Sequence, residues 1–131
     1  MPIHILKHCR LYAEPEDGSR LLVMRYWPRG CRKDQFSAWL PDLAPSAKLL
    51  AWVKKQYQSP KCDPPFIEES WRDRYTSEME QQSELISHLR GRHLAGETLT
   101  LLCSCHDPNK CHRTVLRDLI LKTGDKADVL A

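Results

Sequence analysis

A chain of 131 residues is about the size at which one domain buries a respectable core, and it leaves no room for a second domain of ordinary size. Hydrophobic content of 41% and charged content of 28% are those of an ordinary globular protein, and no apolar stretch is long enough to cross a bilayer. A net charge of +3 is too small to announce nucleic acid by itself and leans only toward an acidic ligand. The opening segment "MPIHILKHCRLYAEPEDG" has charge and turn residues where a secretory signal needs an apolar run, so the expectation is a cytoplasmic chain with no membrane partner. In that reducing compartment Cys9, Cys31, Cys62, Cys103, Cys105 and Cys111 stay thiols rather than forming a disulfide framework.

In chain order, "IHILKHCRLY" reads as a first strand and "EPEDG" as the turn after it. "RLLVMRYW" is a second strand, residues 20 to 27. Its alternation sets Leu21, Val23, Arg25 and Trp27 on one face and Leu22, Met24 and Tyr26 on the other, so it needs cover on both sides. "DQFSAWLPDL" and "SAKLLAWVKKQY" read as short helices, with Ser46 as N-cap of the second. Trp39 and Trp52 are most simply core anchors. "SPKCDPP" is a loop, and then Ile67, Trp71, Tyr75 and Met79 recur every four residues, which predicts a helix from about 66 to 80 burying one stripe. "SELISHLRGRHLAG" continues as helix, ended by Gly91 and Gly96, and "ETLTLLCSC" is the clearest strand, 98 to 105. The order strand, strand, helices, strand, helix predicts a single α/β domain over 1–131: a small, mostly parallel sheet covered by helices, with 20–27 and 98–105 adjacent at its centre.

The stretch "LTLLCSCHDPNKCHRTVLRDLI" concentrates the chemistry. Alternation puts Leu99, Leu101, Cys103 and Cys105 on one face, which makes Cys103 a core residue. "DPNK" is a turn, and Asn109 caps a helix that carries Val115, Leu116, Leu119 and Ile120 inward until Gly124 stops it. Cys111, His112 and Arg113 fall in its first turn. Unpaired N–H groups and the positive end of the helix dipole gather there, which favours anions and lowers the pKa of a nearby thiol.

The segments "RLLVMRYWPRG", "LAPSAKLLAW", "WRDRYTSEM" and "LTLLCSCHDPNKCHRTVL", in this order, resemble domain-of-unknown-function family 488, in its YeaO-like branch. The likeness spans roughly residues 3 to 122, and the Trp-Pro-Arg-Gly run at 27–30 is its most specific part. The resemblance implies an α/β fold and no agreed activity. Where the family pattern has an aspartate before the arginine of the second strand, this chain has Met24. "CHR" at 111–113 resembles another part of the family, whereas YeaO-like members more often carry noncysteine polar residues there.

Independently of that likeness, parallel neighbours would send "RYWPRGCRK" and "CHDPNKCHR" out of the same sheet end, where ligands of open α/β sheets bind. The leading expectation is an anion or phosphate-ligand site formed by Arg25, Trp27, Arg29, His112 and Arg113, with arginine forks on the anion and Trp27 stacking a ring. The plainer alternative pairs Arg25 with a carboxylate such as Glu78 and leaves Trp27 in the core. A thiol or redox enzyme would use Cys105, Cys111 and His112 as catalytic residues, although a Cys-x-x-Cys pair is missing. Zinc or iron would be held by Cys103, Cys105, His106, Cys111 and His112, a soft donor set whose spacing does not match paired knuckles and so is not favoured. A nucleic-acid module using the same arginines is the weakest alternative. Walker, dinucleotide-binding, nucleophile-elbow and Cys-x5-Arg phosphate-loop patterns are missing from the sequence, and nothing in it sets a reaction, a catalytic status or an oligomeric state.

Overall fold

The structure is a computed structural model that describes residues 3–104 and 111–130, with 122–130 as helical backbone only. Its sheet contains β1 (Ile3–His4), β2 (Ser19–Leu22), β3 (Ala38–Trp39) and β4 (Leu99–Leu102), in the order β1-β4-β2-β3 with every pairing parallel. The expected central pair is therefore present, with Leu21 opposite Leu101 and Leu22 opposite Leu102. Both strands are shorter than the sequence suggests. Val23 N–H still bonds the Leu102 carbonyl, after which the chain turns through Pro28, which has no N–H to offer a ladder, and Gly30 at φ +83°. The first strand is likewise reduced to Ile3–His4 plus an isolated bridge between His8 and Cys103.

Segment 34–43, expected as a short helix, is the largest departure. It contains two 3₁₀ turns, Lys33–Gln35 and Pro41–Leu43, around β3. The exposed edge of β2 accounts for this: Ser37 N–H bonds the Arg20 carbonyl and Leu40 N–H bonds the Leu22 carbonyl, satisfying acceptors that a helix would have left to water.

Four helices follow as expected in kind: α1 (Ala47–Gln58), α2 (Pro64–Met79), α3 (Ser83–Leu94) and α4 (His112–Leu130). Ser46 caps α1 by accepting the Leu49 N–H at 3.0 Å. All four residues of the α2 stripe, Ile67, Trp71, Tyr75 and Met79, are buried. Gly91 lies inside α3 instead of ending it, and the turn comes at Gly96, whose φ of +100° suits glycine. α4 also runs through Gly124, because one interior glycine costs a helix only about 1 kcal/mol. The proposed Asn109 cap and the "DPNK" turn lie outside the described residues. No helix among the described residues is long and apolar enough to cross a membrane.

The helices all pack on one face of the sheet. Leu21, Val23, Leu99 and Leu101 meet Leu49, Tyr75, Leu89, Leu116 and Ile120 there in one cluster. The other face carries Leu22 and Leu102 and is covered by irregular chain, with Cys9, Met24, Trp27, Cys31 and Phe36 packed on it. Trp27 therefore sides with Leu22, opposite to the alternation read from sequence, because the strand ends before reaching it. Arg20, on the loop-covered face, donates to Asp17 at 2.5 Å, to the Gln35 carbonyl at 2.7 Å and to the Leu11 carbonyl at 2.6 Å. Asp17 is buried, which alone would raise its pKa, but bonds from Lys7, the Glu14 N–H and Arg20 outweigh this and hold it below the usual carboxylate value. Gly18, at φ +62°, passes so close to β4 that a Cβ would stand 2.2 Å from the Thr98 oxygen.

Candidate ligand cavity and thiol–imidazole cluster

β4 ends at Leu102, directly before Cys103, and α4 begins at His112, so the end of a central strand and the first turn of a helix meet beside the carboxyl end of β2. The sulfurs of Cys103 and Cys111 and a ring nitrogen of His112 all lie within 4.8 Å of one another, and all three residues are buried. His112 Nε2 is 2.5 Å from the Val23 carbonyl oxygen. A carbonyl only accepts, so Nε2 carries the proton and the Nδ1 lone pair faces the other way. Nδ1 lies 3.5 Å from Cys111 Sγ. The Tyr75 ring packs edge-on to the imidazole, with centroids 5.5 Å apart, and its hydroxyl donates to the Leu43 carbonyl at 2.6 Å. Burial above all, then the neighbouring Cys111, Glu78 and Cys103 groups, push the Tyr75 phenol well above its usual pKa, so it stays protonated.

Cys111 and His112 also line a cavity of ≈ 400 Å³ between α1, α2 and the start of α4. Leu49, Val53 and Trp71 give it apolar walls, while Lys54 and Glu68 add one charge of each sign. The imidazole orientation allows two kinds of chemistry. Nδ1 can take the proton of the Cys111 thiol, or it can share a soft metal ion with the two sulfurs.

The residues expected to bind an anion are distributed differently. His112 is at the cavity. Arg25 donates to the carbonyls of Pro45 (3.1 Å), a residue of the cavity lining, and Ala44 (3.2 Å), whereas Arg113 Nη1 donates to the Lys7 carbonyl (2.6 Å), which follows β1 in the chain. Arg29 is exposed. Trp27 is half-buried, with its indole N–H on the Cys31 carbonyl and its ring edge-on to Phe36 and Trp39. Glu78, the carboxylate suggested for Arg25, instead accepts from the N–H and hydroxyl of Ser46. Cys105 and His106 lie outside the described residues. Lys54, Trp71 and Tyr75 join the site without having been singled out for it. The sequence signal of Trp71 and Tyr75 is helical spacing, which marks a buried stripe and not what lies at its end, and exposed Lys54 carries no such signal.

Fold and site together define a small parallel α/β protein with a ligand-sized cavity at a strand end, walled by helices and closed by a thiol–imidazole cluster. The chain belongs to the DUF488 family: residues 3–124 match DUF488-N3a, described as the active DUF488-N3 subclade. Uncharacterized proteins of Mycobacterium tuberculosis and Mycobacterium bovis are each 31% identical over 111 residues, covering 82% of this chain and 84% of theirs. The uncharacterized protein YeaO of Escherichia coli is 31% identical over 112 residues, covering 81% of this chain and 86% of its own. No solved structure matches the chain.

Proposed function

We propose that the chain binds a small organic molecule with an apolar or ring-bearing body and a single phosphate or carboxylate group, in the cavity between α1, α2 and the start of α4. The observation that carries this reading is the division of the cavity's lining: apolar side chains along α1 and α2, and Cys111 and His112 at the amino end of a long helix. That helix end attracts negative charge, and Lys54 adds a cation. Glu68 keeps the lining from being uniformly basic, which limits the ligand to one anionic group. This reading shares His112 with the anion site expected from sequence, while Arg25 and Arg113 donate to main-chain carbonyls. The description of the subclade as active supports a site with a chemical role.

Calorimetric titration with a panel of aromatic carboxylates, sugar phosphates and nucleoside monophosphates tests the reading. At least one class should bind, Lys54→Ala should weaken it roughly tenfold, the loss of one exposed charge pair with a ligand, and Val53→Trp should abolish it by filling the cavity. Binding that survives Val53→Trp unchanged, in a protein that still folds, places the ligand elsewhere. Binding of many unrelated oligonucleotides with a steep salt dependence would favour the nucleic-acid reading instead.

A further inference from the structure

We propose that Cys103, Cys111 and His112 hold a zinc ion at the inner end of this cavity. Sequence spacing disfavours a metal only if one loop must supply paired knuckles. Here the donors come from two places far apart in sequence that the fold brings together: Cys103, bridged to His8 just after β4, and the adjacent Cys111 and His112 at the start of α4. In tetrahedral zinc sites with Zn–S of about 2.3 Å and Zn–N of about 2.0–2.1 Å, adjacent sulfur and nitrogen donors stand about 3.6 Å apart and two sulfurs about 3.8 Å apart. Cys111 Sγ and His112 Nδ1 are already 3.5 Å apart, and Cys103 completes a trio within 4.8 Å, so an ion needs only a small contraction.

The tautomer argues in the same direction. Ligand histidines characteristically donate their second N–H to a carbonyl or carboxylate, which fixes the ring and leaves a lone pair for the metal. His112 does this through Val23, so the Nδ1 lone pair is turned toward the sulfurs before any ion arrives. Tyr75 packs against the imidazole and hinders its rotation. Two thiolates and one imidazole form a soft set suited to zinc, and binding releases the two thiol protons. Because Cys111 and His112 also line the cavity, a fourth coordination position on that side is open to water or to the anionic group of the ligand. That last step rests on the ligand reading above, whereas the ion itself does not.

Cobalt(II) is the probe. Protein stripped with chelator under reducing conditions and titrated with cobalt should develop the intense visible absorption of a tetrahedral thiolate site, saturating at one ion per chain and bleached by zinc. Cys103→Ser, Cys111→Ser and His112→Gln should each weaken binding at least tenfold, while Cys62→Ser, on an exposed loop, should not. If folded wild-type protein develops no such spectrum and Cys111 is instead alkylated near neutral pH at a rate that falls in His112→Gln, the group is a thiol–imidazole pair and the zinc site is wrong. Val53→Trp separates the two proposals. An intact cobalt spectrum in the variant, with ligand binding unaffected, counts against the cavity reading alone, whereas cavity-dependent ligand binding without any cobalt spectrum counts against the metal alone.

Discussion

The two faces of the sheet use the same central strands and bury them by different means. Against the helices, β2 and β4 bury Leu21, Leu99 and Leu101, with Val23 just past the end of β2, because a helix satisfies its own backbone hydrogen bonds and asks nothing of its neighbour but shape. Against the loops, the same strands present Arg20 and Thr100 beside Leu22 and Leu102. Irregular chain brings carbonyls that must be met, and Arg20 meets those of Gln35 and Leu11 while Thr100 meets that of Asp17. A sheet face covered by loops therefore needs buried donors, and arginine, with five of them, supplies several from one side chain.

The largest expected effect comes from the buried ion pair. Asp17→Ala should cost about 3–5 kcal/mol in denaturant unfolding, since it leaves the Arg20 guanidinium buried without its anion. If the pair existed for its charge alone, Asp17→Leu with Arg20→Met should recover most of that loss. The carbonyls of Gln35 and Leu11 would still lack donors, so we expect little recovery, and full recovery would break the distinction between the faces. Next in size, Leu101→Ala, in the helix-packed cluster, should cost about 3–5 kcal/mol, while Leu102→Ala, under loops that can settle inward, should cost about 2–3 kcal/mol. Equal costs would mean that both coverings are equally stiff. Ser46→Ala should cost about 1–2 kcal/mol through the α1 cap and the bond to Glu78, read in the same unfolding assay.

The smallest effect is a pH dependence at the amino end of the sheet. Bonds from Arg92 and Ser19 bring the Glu97 pKa down from 4.5 to about 2 in the folded chain. The folded value lies below the unfolded one, so the contribution is fully present above about pH 5 and is lost as pH falls toward 2. Glu97 is about one-third exposed, and solvent screening keeps the effect to a few tenths of a kcal/mol. The stability profile of Glu97→Gln should be flatter than wild type in that window; an unchanged slope would assign the acid sensitivity to Asp17 and its neighbours.

Sequence patterns revealed the features with strong periodicity. Ile67, Trp71, Tyr75 and Met79 announced α2 because burial of one stripe repeats with the helical period, and the apolar density of Leu99–Leu102 marked a central strand. β3 was not legible, since Ala38–Trp39 is a two-residue strand whose conformation is set by the edge of β2 and not by its own residues. At the candidate site, the gathering of Cys103, Cys111 and His112 was foreshadowed by their chemistry and their position at a strand-to-helix junction. Which arginines were available was not. Arg25 and Arg113 look like anion ligands in sequence, and only the fold reveals the carbonyls of Pro45, Ala44 and Lys7 that engage them.

The strand order also bears on how the chain is made. β4 is the last strand to be synthesised, yet it lies between the first two, pairing with β1 on one side and β2 on the other. A nascent chain leaving the ribosome thus carries two separate strand edges with no ladder between them until Leu99–Leu102 has emerged, after α1, α2 and α3 are already outside. Such long-range closure is slow and leaves apolar edges open to other chains in the interval. Premature termination between the end of α3 and the start of β4 would yield a largely helical fragment with an incomplete sheet, a substrate for chaperones or proteases rather than a smaller version of the protein.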